Sequence, residues 1–239
     1  MPVIPNHLLL LAAGAVIIVL AMHVYVATGI SYRHRDNGLA YILFVLGVAV
    51  WNGIFAAQFL STDPAINQFF LSLSIVGAVL AGLGWFMFAS TAGSTPRVPG
   101  ERVVFATTGV LVGIAIMLAV TTPVHSVLWQ IDPASTSLVA EITPAPGYWL
   151  YTVFLAGLFL AGVVLFGLAW SNGESLSYSR AYTVTGITTV VAILGSNILA
   201  PGGLTVAPLV TFQLATIGWL QAKRWSVVRF FRRSELSSD

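Results

Sequence analysis

The chain has 239 residues, of which 57% are hydrophobic and 8% charged, with a formal net charge of +2. Soluble domains carry about 25% charged residues, so a water-facing surface cannot be built from this composition, and the small positive balance is no sign of a nucleic-acid partner. There is no cysteine, which excludes disulfides, thiolate metal sites, iron–sulfur clusters and cysteine nucleophiles.

Seven apolar stretches follow one another, each near the roughly 17–25 residues that a helix needs to cross the hydrocarbon core. The first, Leu8–Ile30, has no positive segment before it and no small-residue cleavage site after it, so it reads as a retained span rather than a signal peptide. Ser31–Gly38 is a turn-former cluster holding Arg33 and Arg35, and Leu39–Leu60 is the second stretch. A brief turn, Ser61–Asn67, carries Asp63-Pro64 and leads into Phe69–Ala92, which contains the small-residue steps Gly77/Ala81 and Ala78/Gly82. Gly93–Glu101 holds two prolines and two glycines, and Val103–Val120 contains Gly109 and Gly113. The connection Thr121–Gly147 is long, with four prolines, two acids and the apolar run Val124–Ile131, and is expected to form a short helix or packed cap. Tyr148–Trp170 (with Gly157/Ala161), Ala181–Ala200 and Leu204–Ala222 complete the set. Small residues at four-residue spacing let helix backbones approach in lipid. They serve bundle packing or, as an alternative, a homodimer seam.

Every Lys and Arg falls in the first, third and fifth connections or in the tail after Ala222. Cytoplasmic loops are enriched in these residues. The expected fold is therefore an all-α membrane protein: a bundle of seven transmembrane helices, N-terminus outside and C-terminus cytoplasmic. Residues 1–222 form the membrane domain and residues 223–239 a short basic tail. The tail residues Lys223, Arg224, Trp225, Arg229, Phe230, Phe231, Arg232 and Arg233 suit a membrane-interface anchor, or a continuation of the last helix that passes on a displacement.

The stretches contain no Asp, Glu, Lys or Arg away from their ends. An ion path would have to run on His23, Asn52, Gln58, Asn197 and Gln213, residues that more often bond across helices. The sole lysine, Lys223, lies at the boundary and cannot form a retinal Schiff base at mid-membrane. The four histidines are scattered over both sides, with no acidic partner at ligand spacing, so neither a metal nor a cofactor is expected. No catalytic set is present either: there is no HExxH, no phosphate-binding glycine loop and no Ser/His/Asp group in one leaflet. His125 and Trp129 are four apart and would share a face on a short helix, as interfacial anchors or as the wall of an outer pocket.

At these residues the chain resembles a known family. Thr121-Thr122-Pro123-Val124-His125-Ser126-Val127-Leu128-Trp129 is similar to the Thr-Asn-Pro-x-His-His-x-x-Trp signature of the N-terminal seven-helix sensory region of membrane histidine kinases. Trp51 in the second stretch, Tyr148-Trp149 opening the fifth, Tyr178-Ser179-Arg180 before the sixth, Gly195-Ser196-Asn197 within it and Thr205-Val206-Ala207-Pro208 before the seventh resemble the family in the same order. The similarity runs from about Leu8 to Val228. Two positions depart: Thr122 stands for the asparagine and Ser126 for the second histidine, which removes the pair of adjacent imidazoles.

The resemblance implies a sensor. An extracellular or membrane-borne small-molecule ligand, or a property of the lipid bilayer, would bias the bundle, and the result would pass through the last helix to a cytoplasmic signalling partner or a fused domain. Candidate ligand-binding residues are Trp51, Asn52, His125, Trp129, Trp149 and Asn197. Lys223–Asp239 is too short for a kinase core, so the expectation is an excised sensor or a stand-alone relative, not an enzyme. Two alternatives belong to other classes: a small transporter or channel along Asn52, Gln58, Asn197 and Gln213, or a structural subunit of a larger membrane complex.

Overall fold

The computed structural model describes residues 38–58, 63–91, 101–131, 142–172, 178–201 and 206–218. The first apolar stretch, its histidines and the basic tail lie outside the described residues. Helices α1 (Gly38–Ala57), α2 (Pro64–Thr91), α3 (Glu101–His125), α4 (Pro146–Ser171) and α5 (Ser179–Leu199) are joined by a shorter apolar helix, α6 (Ala207–Gly218). The first five are long and apolar enough to span a bilayer. They coincide with the second to sixth apolar stretches, and α6 with the seventh. The architecture is that of a multi-pass all-α membrane protein.

The helices run alternately up and down, as their cross-contacts require. Tyr148 at the start of α4 meets Asn197 at the end of α5, while Phe166 near the end of α4 stacks on Tyr182 near the start of α5. One end of the bundle thus gathers Gln58, Asp63, His125, Tyr148, Asn197 and Ala207. The other gathers Gly38, Thr91, Glu101, Ser171, Ser179 and Gly218. At that second end the Arg180 guanidinium lies 5.5 Å from the Trp170 ring centre, a cation–π pair suited to a membrane boundary.

In lipid there is no hydrophobic drive between helices, so close packing and interhelical hydrogen bonds must hold them. The α1–α2 pair does this through glycine. A Cβ on Gly77 would fall 2.4 Å from the Trp51 backbone nitrogen, one on Gly47 2.2 Å from that of Ala81, and one on Gly84 2.2 Å from that of Phe44. Three successive levels of this antiparallel pair are therefore in backbone contact. The Gly77/Ala81 step legible in the sequence is part of this seam. The Gly109/Gly113 step is not: a Cβ on either would meet nothing within 4 Å among the described residues, and α3 presents Val103, Val110, Ile114, Met117 and Val120 outward.

The start of α2 follows from Asp63-Pro64. The Asp63 carboxylate accepts from the Ala65 N–H at 2.9 Å and its carbonyl from the Asn67 N–H at 2.9 Å, while proline at the first helical position gives up a donor that would have no partner. The helix therefore begins before Phe69.

In its described parts the long fourth connection, expected as a short helix or packed cap, is a two-stranded ribbon. α3 continues to His125 and stops at Ser126, which takes a left-handed φ of 53° while its N–H still bonds the Thr122 carbonyl. The chain then enters β1 (Trp129–Ile131), which pairs antiparallel with β2 (Ile142–Pro144), Trp129 opposite Pro144. The aromatic and β-branched residues of Val127–Ile131 suit a strand once the helix has been stopped. The ribbon is tied down where the Ala145 N–H bonds the Leu128 carbonyl at 2.9 Å. A Cβ on Gly147 would lie 2.7 Å from the Val127 carbonyl, so glycine there lets the ribbon press on the first turn of α4.

The seam gives a direct test. Gly84→Ala must push α1 and α2 apart and should cost about 1–3 kcal/mol, the usual range for overpacking. Gly109→Ala meets nothing and should stay within about 0.5 kcal/mol of the parent. Unfolding of the two variants in mixed micelles by added SDS checks the contrast; equal losses would refute the seam.

Candidate functional site

Two unlike regions lie between the helices. Toward the end marked by Thr91 and Ser179, Trp85 on α2 occupies the centre, fully buried. Its indole N–H donates to the Phe159 carbonyl of α4 at 3.0 Å. Its ring fits over Gly162, where a Cβ would sit 2.2 Å from the indole nitrogen. Phe44, Phe166 and Tyr182 surround it with ring centres 5.1–5.9 Å away, and Phe166 stacks on Tyr182 at 4.5 Å. This region is filled and its central donor is satisfied.

The opposite end is polar and incompletely filled. Trp51, Phe55 and Gln58 share one face of α1, at positions i, i+4 and i+7. With Ser74 of α2, Tyr148 and Tyr151 of α4 and Asn197 of α5, they line a cavity. The space open to the centre of a water-sized molecule is about 40 Å³. That is room for about two or three waters, and far less than the roughly 300–1,000 Å³ of a drug-sized pocket.

The polar groups around it are unequally served. The Tyr148 hydroxyl donates to Asn197 Oδ1, and Asn197 Nδ2 donates to the Ile193 carbonyl at 2.8 Å. Ser74 Oγ donates to the Leu71 carbonyl at 2.8 Å. Gln58 is 1% exposed, yet among the described residues neither its Oε1 nor its Nε2 has a hydrogen-bond partner. An unpaired buried polar group costs about 1–3 kcal/mol, so this amide is the anomaly of the site.

A second hollow, wholly apolar and about 320 Å³, lies between α3 and α4 and is walled by Leu111, Leu118, Leu150 and Phe154. Tyr151 borders both hollows, forming a wall between the polar cavity and an apolar crevice on the outer face of the bundle.

Of the residues singled out in the sequence, Trp51 and Asn197 meet at the polar cavity. Asn52 does not line it: its Nδ2 bonds the Val48 carbonyl at 2.9 Å and the Pro208 carbonyl at 3.0 Å, tying α1 to α6. Trp129 is fully buried in the ribbon, its indole N–H without a partner among the described residues. His125 and Trp149 are exposed. His125 caps the end of α3: Nδ1 accepts from the Val127 N–H at 3.1 Å and Nε2 lies 2.8 Å from Thr121 Oγ1. Since Thr121 donates its own proton to the Met117 carbonyl, the neutral Nε2–H tautomer satisfies every bond. With Trp129 on a strand, the two rings do not share a helix face. Of the other polar residues considered for a path, Gln58 lines the cavity with Asn197, and Gln213 is exposed on α6. Gln58 was legible only as a polar residue in an apolar stretch. Tyr151 gave no signal beyond its place three residues after Tyr148.

Among the described residues no charged side chain lines the cavity, and no cluster of three His, Asp or Glu could hold a metal. Hydroxyl and amide groups with aromatic walls can bind and orient a neutral molecule.

Comparison with known families gives one result. A family model described as the N-terminal 7TM region of histidine kinase matches residues 9–223, the sensory region alone. No curated protein matches the chain.

The α4–α5 tie at the cavity is testable. Tyr148→Phe removes the hydroxyl that reaches Asn197 and should destabilise the protein by about 0.5–1.5 kcal/mol. Trp149→Phe, on the exposed side of the same turn, should change stability by less than about 0.5 kcal/mol. SDS titration of both variants measures the difference, and equal effects would remove the tie from the account.

Proposed function

Given that the chain belongs to the family of N-terminal 7TM regions of histidine kinases, we propose that it is a membrane-embedded input domain whose stimulus acts at the polar cavity. In this reading the bundle has seven spans, with the cavity end outside and residues 223–239 in the cytoplasm. The basic residues confined to alternate connections support that orientation. A small ligand, arriving from outside or through the lipid, changes how α1 and α2 sit against α4 and α5. The last helix carries the displacement to a cytoplasmic partner or fused domain. Trp51 and Asn197, with Gln58, Tyr148 and Tyr151, form the responsive set.

The observation that carries the proposal is Gln58: a buried residue on the wall of a cavity among three other helices, with both polar atoms of its amide unpaired among the described residues. A group left unsatisfied at a cost to stability is a natural place for a ligand to act. The absence of any intramembrane charge weighs against ion transport.

Two experiments test this. Because there is no native cysteine, Asp63→Cys and Ser238→Cys are clean reporters of sidedness. An impermeant thiol reagent added to intact cells should label the first and spare the second. Labelling of Ser238→Cys from outside would reverse the orientation. For output, a kinase core joined in helical register after Arg233 should show activity that varies with one to four inserted alanines at the helical period of about 3.6 residues. Activity indifferent to insert length would remove the proposed route to the cytoplasm.

A further inference from the structure

We infer that Asn52 and Tyr41 fasten α6 to α1, so that α6 is displaced together with α1 and a change at the cavity reaches the last helix through α1 rather than through α5. Both are positioning residues, acting through the main chain they hold. This rests on the sensory reading and supplies the route by which that site is read out.

Two buried hydrogen bonds make the attachment. The Asn52 amide on α1 donates to the Pro208 carbonyl at 3.0 Å, and the Tyr41 hydroxyl donates to the Ala215 carbonyl at 3.1 Å. Tyr41 and Asn52 stand about three helical turns apart and so project from one face of α1. Pro208 and Ala215, about two turns apart, share a face of α6 in the same way. Gly218 extends that face: a Cβ there would lie 2.4 Å from the Tyr41 ring, so the ring rests on the α6 main chain. On another side α1 is held by α2, through backbone contact at Phe44, Gly47 and Trp51. Thus α1 is the member shared by the glycine seam and by α6.

The tie from α5 is of another quality. The Val206 N–H reaches Ser196 Oγ at 3.4 Å, in an exposed position. That is beyond the usual N–H···O distance of about 2.7–3.2 Å, and water competes for it, whereas a buried bond is electrostatically stronger. The comparison matters because each tie adjoins a cavity residue: Asn52 follows Trp51, and Ser196 precedes Asn197. When Trp51 and Asn197 move apart, the start of α6 cannot stay with both. The stronger pair of bonds keeps it with α1.

The test displaces α1 deliberately, in the full chain in lipid nanodiscs. Gly77→Ala sets a methyl group against the Trp51 main chain from the α2 side. Leu46→Cys on α1, Leu160→Cys on α4 and Leu209→Cys on α6, all at exposed positions, carry nitroxide labels two at a time, and dipolar EPR reads the distances. Gly77→Ala should change the 46–160 and 209–160 distances together, by about 1–2 Å, and leave 46–209 fixed. With Asn52→Ala and Tyr41→Phe added, the 46–160 change should persist while 209–160 returns to its original value. A general loss of stability would not separate the two. Ser196→Ala should leave α6 following α1. The inference is overturned if 209–160 does not respond to Gly77→Ala, if α6 follows α1 equally without the two bonds, or if Ser196→Ala releases it. Should the double variant not fold, Asn52→Ala alone decides, because Leu209 adjoins Pro208 and reports that bond. Gly47→Ala, which meets the Ala81 main chain, replaces Gly77→Ala on the same terms. No signalling output is read, so failure here leaves the sensory reading standing with another route to the last helix. Failure of the kinase fusion leaves the α1–α6 attachment standing.

Discussion

Trp85 is held by two complementary conditions, and the rest of the bundle is arranged around them. Its indole N–H, buried in a region without water, needs an acceptor and finds one in a main-chain carbonyl of α4. Its ring needs room between helices and finds it because position 162 carries no side chain. Phe44 from α1, Phe166 from α4 and Tyr182 from α5 close on the same ring, so one residue brings four helices into register. An alanine at 162 would evict the indole and leave its donor unpaired, which links a steric condition to an electrostatic one.

The two ends of the bundle therefore differ in kind. The aromatic end is dense and satisfied. The cavity end has amides and hydroxyls joined by single hydrogen bonds, a hollow between them and a ribbon laid over the first turn of α4. Tightly packed regions have one good arrangement, whereas a partly filled polar region has several of similar energy. α3 stands outside this division, since it packs on α2 along a narrow stripe and shows most of its surface outward.

Much of the helical frame was legible because apolar length is a strong signal in a membrane chain, and Asp63-Pro64 even announces the start of α2. The ribbon was not. Val124–Ile131 has an apolar content compatible with helix or strand, and the decision rests on one backbone angle at Ser126, a residue with no strong preference. Small-residue steps were legible as a class but not individually. Gly77/Ala81 and Gly109/Gly113 read alike, yet only the first faces another helix, because spacing tells which side of a helix is small and not what stands opposite. Around the cavity, Trp51 and Asn197 stand together, whereas His125 and Trp129, close in sequence, are parted by the left-handed turn. Tyr151 became visible only when α2 and α4 were seen side by side.

The glycine seam between α1 and α2 also limits what kind of movement can pass through this pair. With Gly47, Gly77 and Gly84 seated on opposing main chain, a small axial slide drives Cβ atoms of neighbouring residues into backbone, so gradual shear is blocked. The next arrangement that offers small residues to the opposite helix lies about one turn away, roughly 5.4 Å. The hairpin therefore holds one axial seat, and a second could be reached only by a discrete step. A displacement of this pair would show as a change in the fraction of molecules in each seat rather than in how far each one moves.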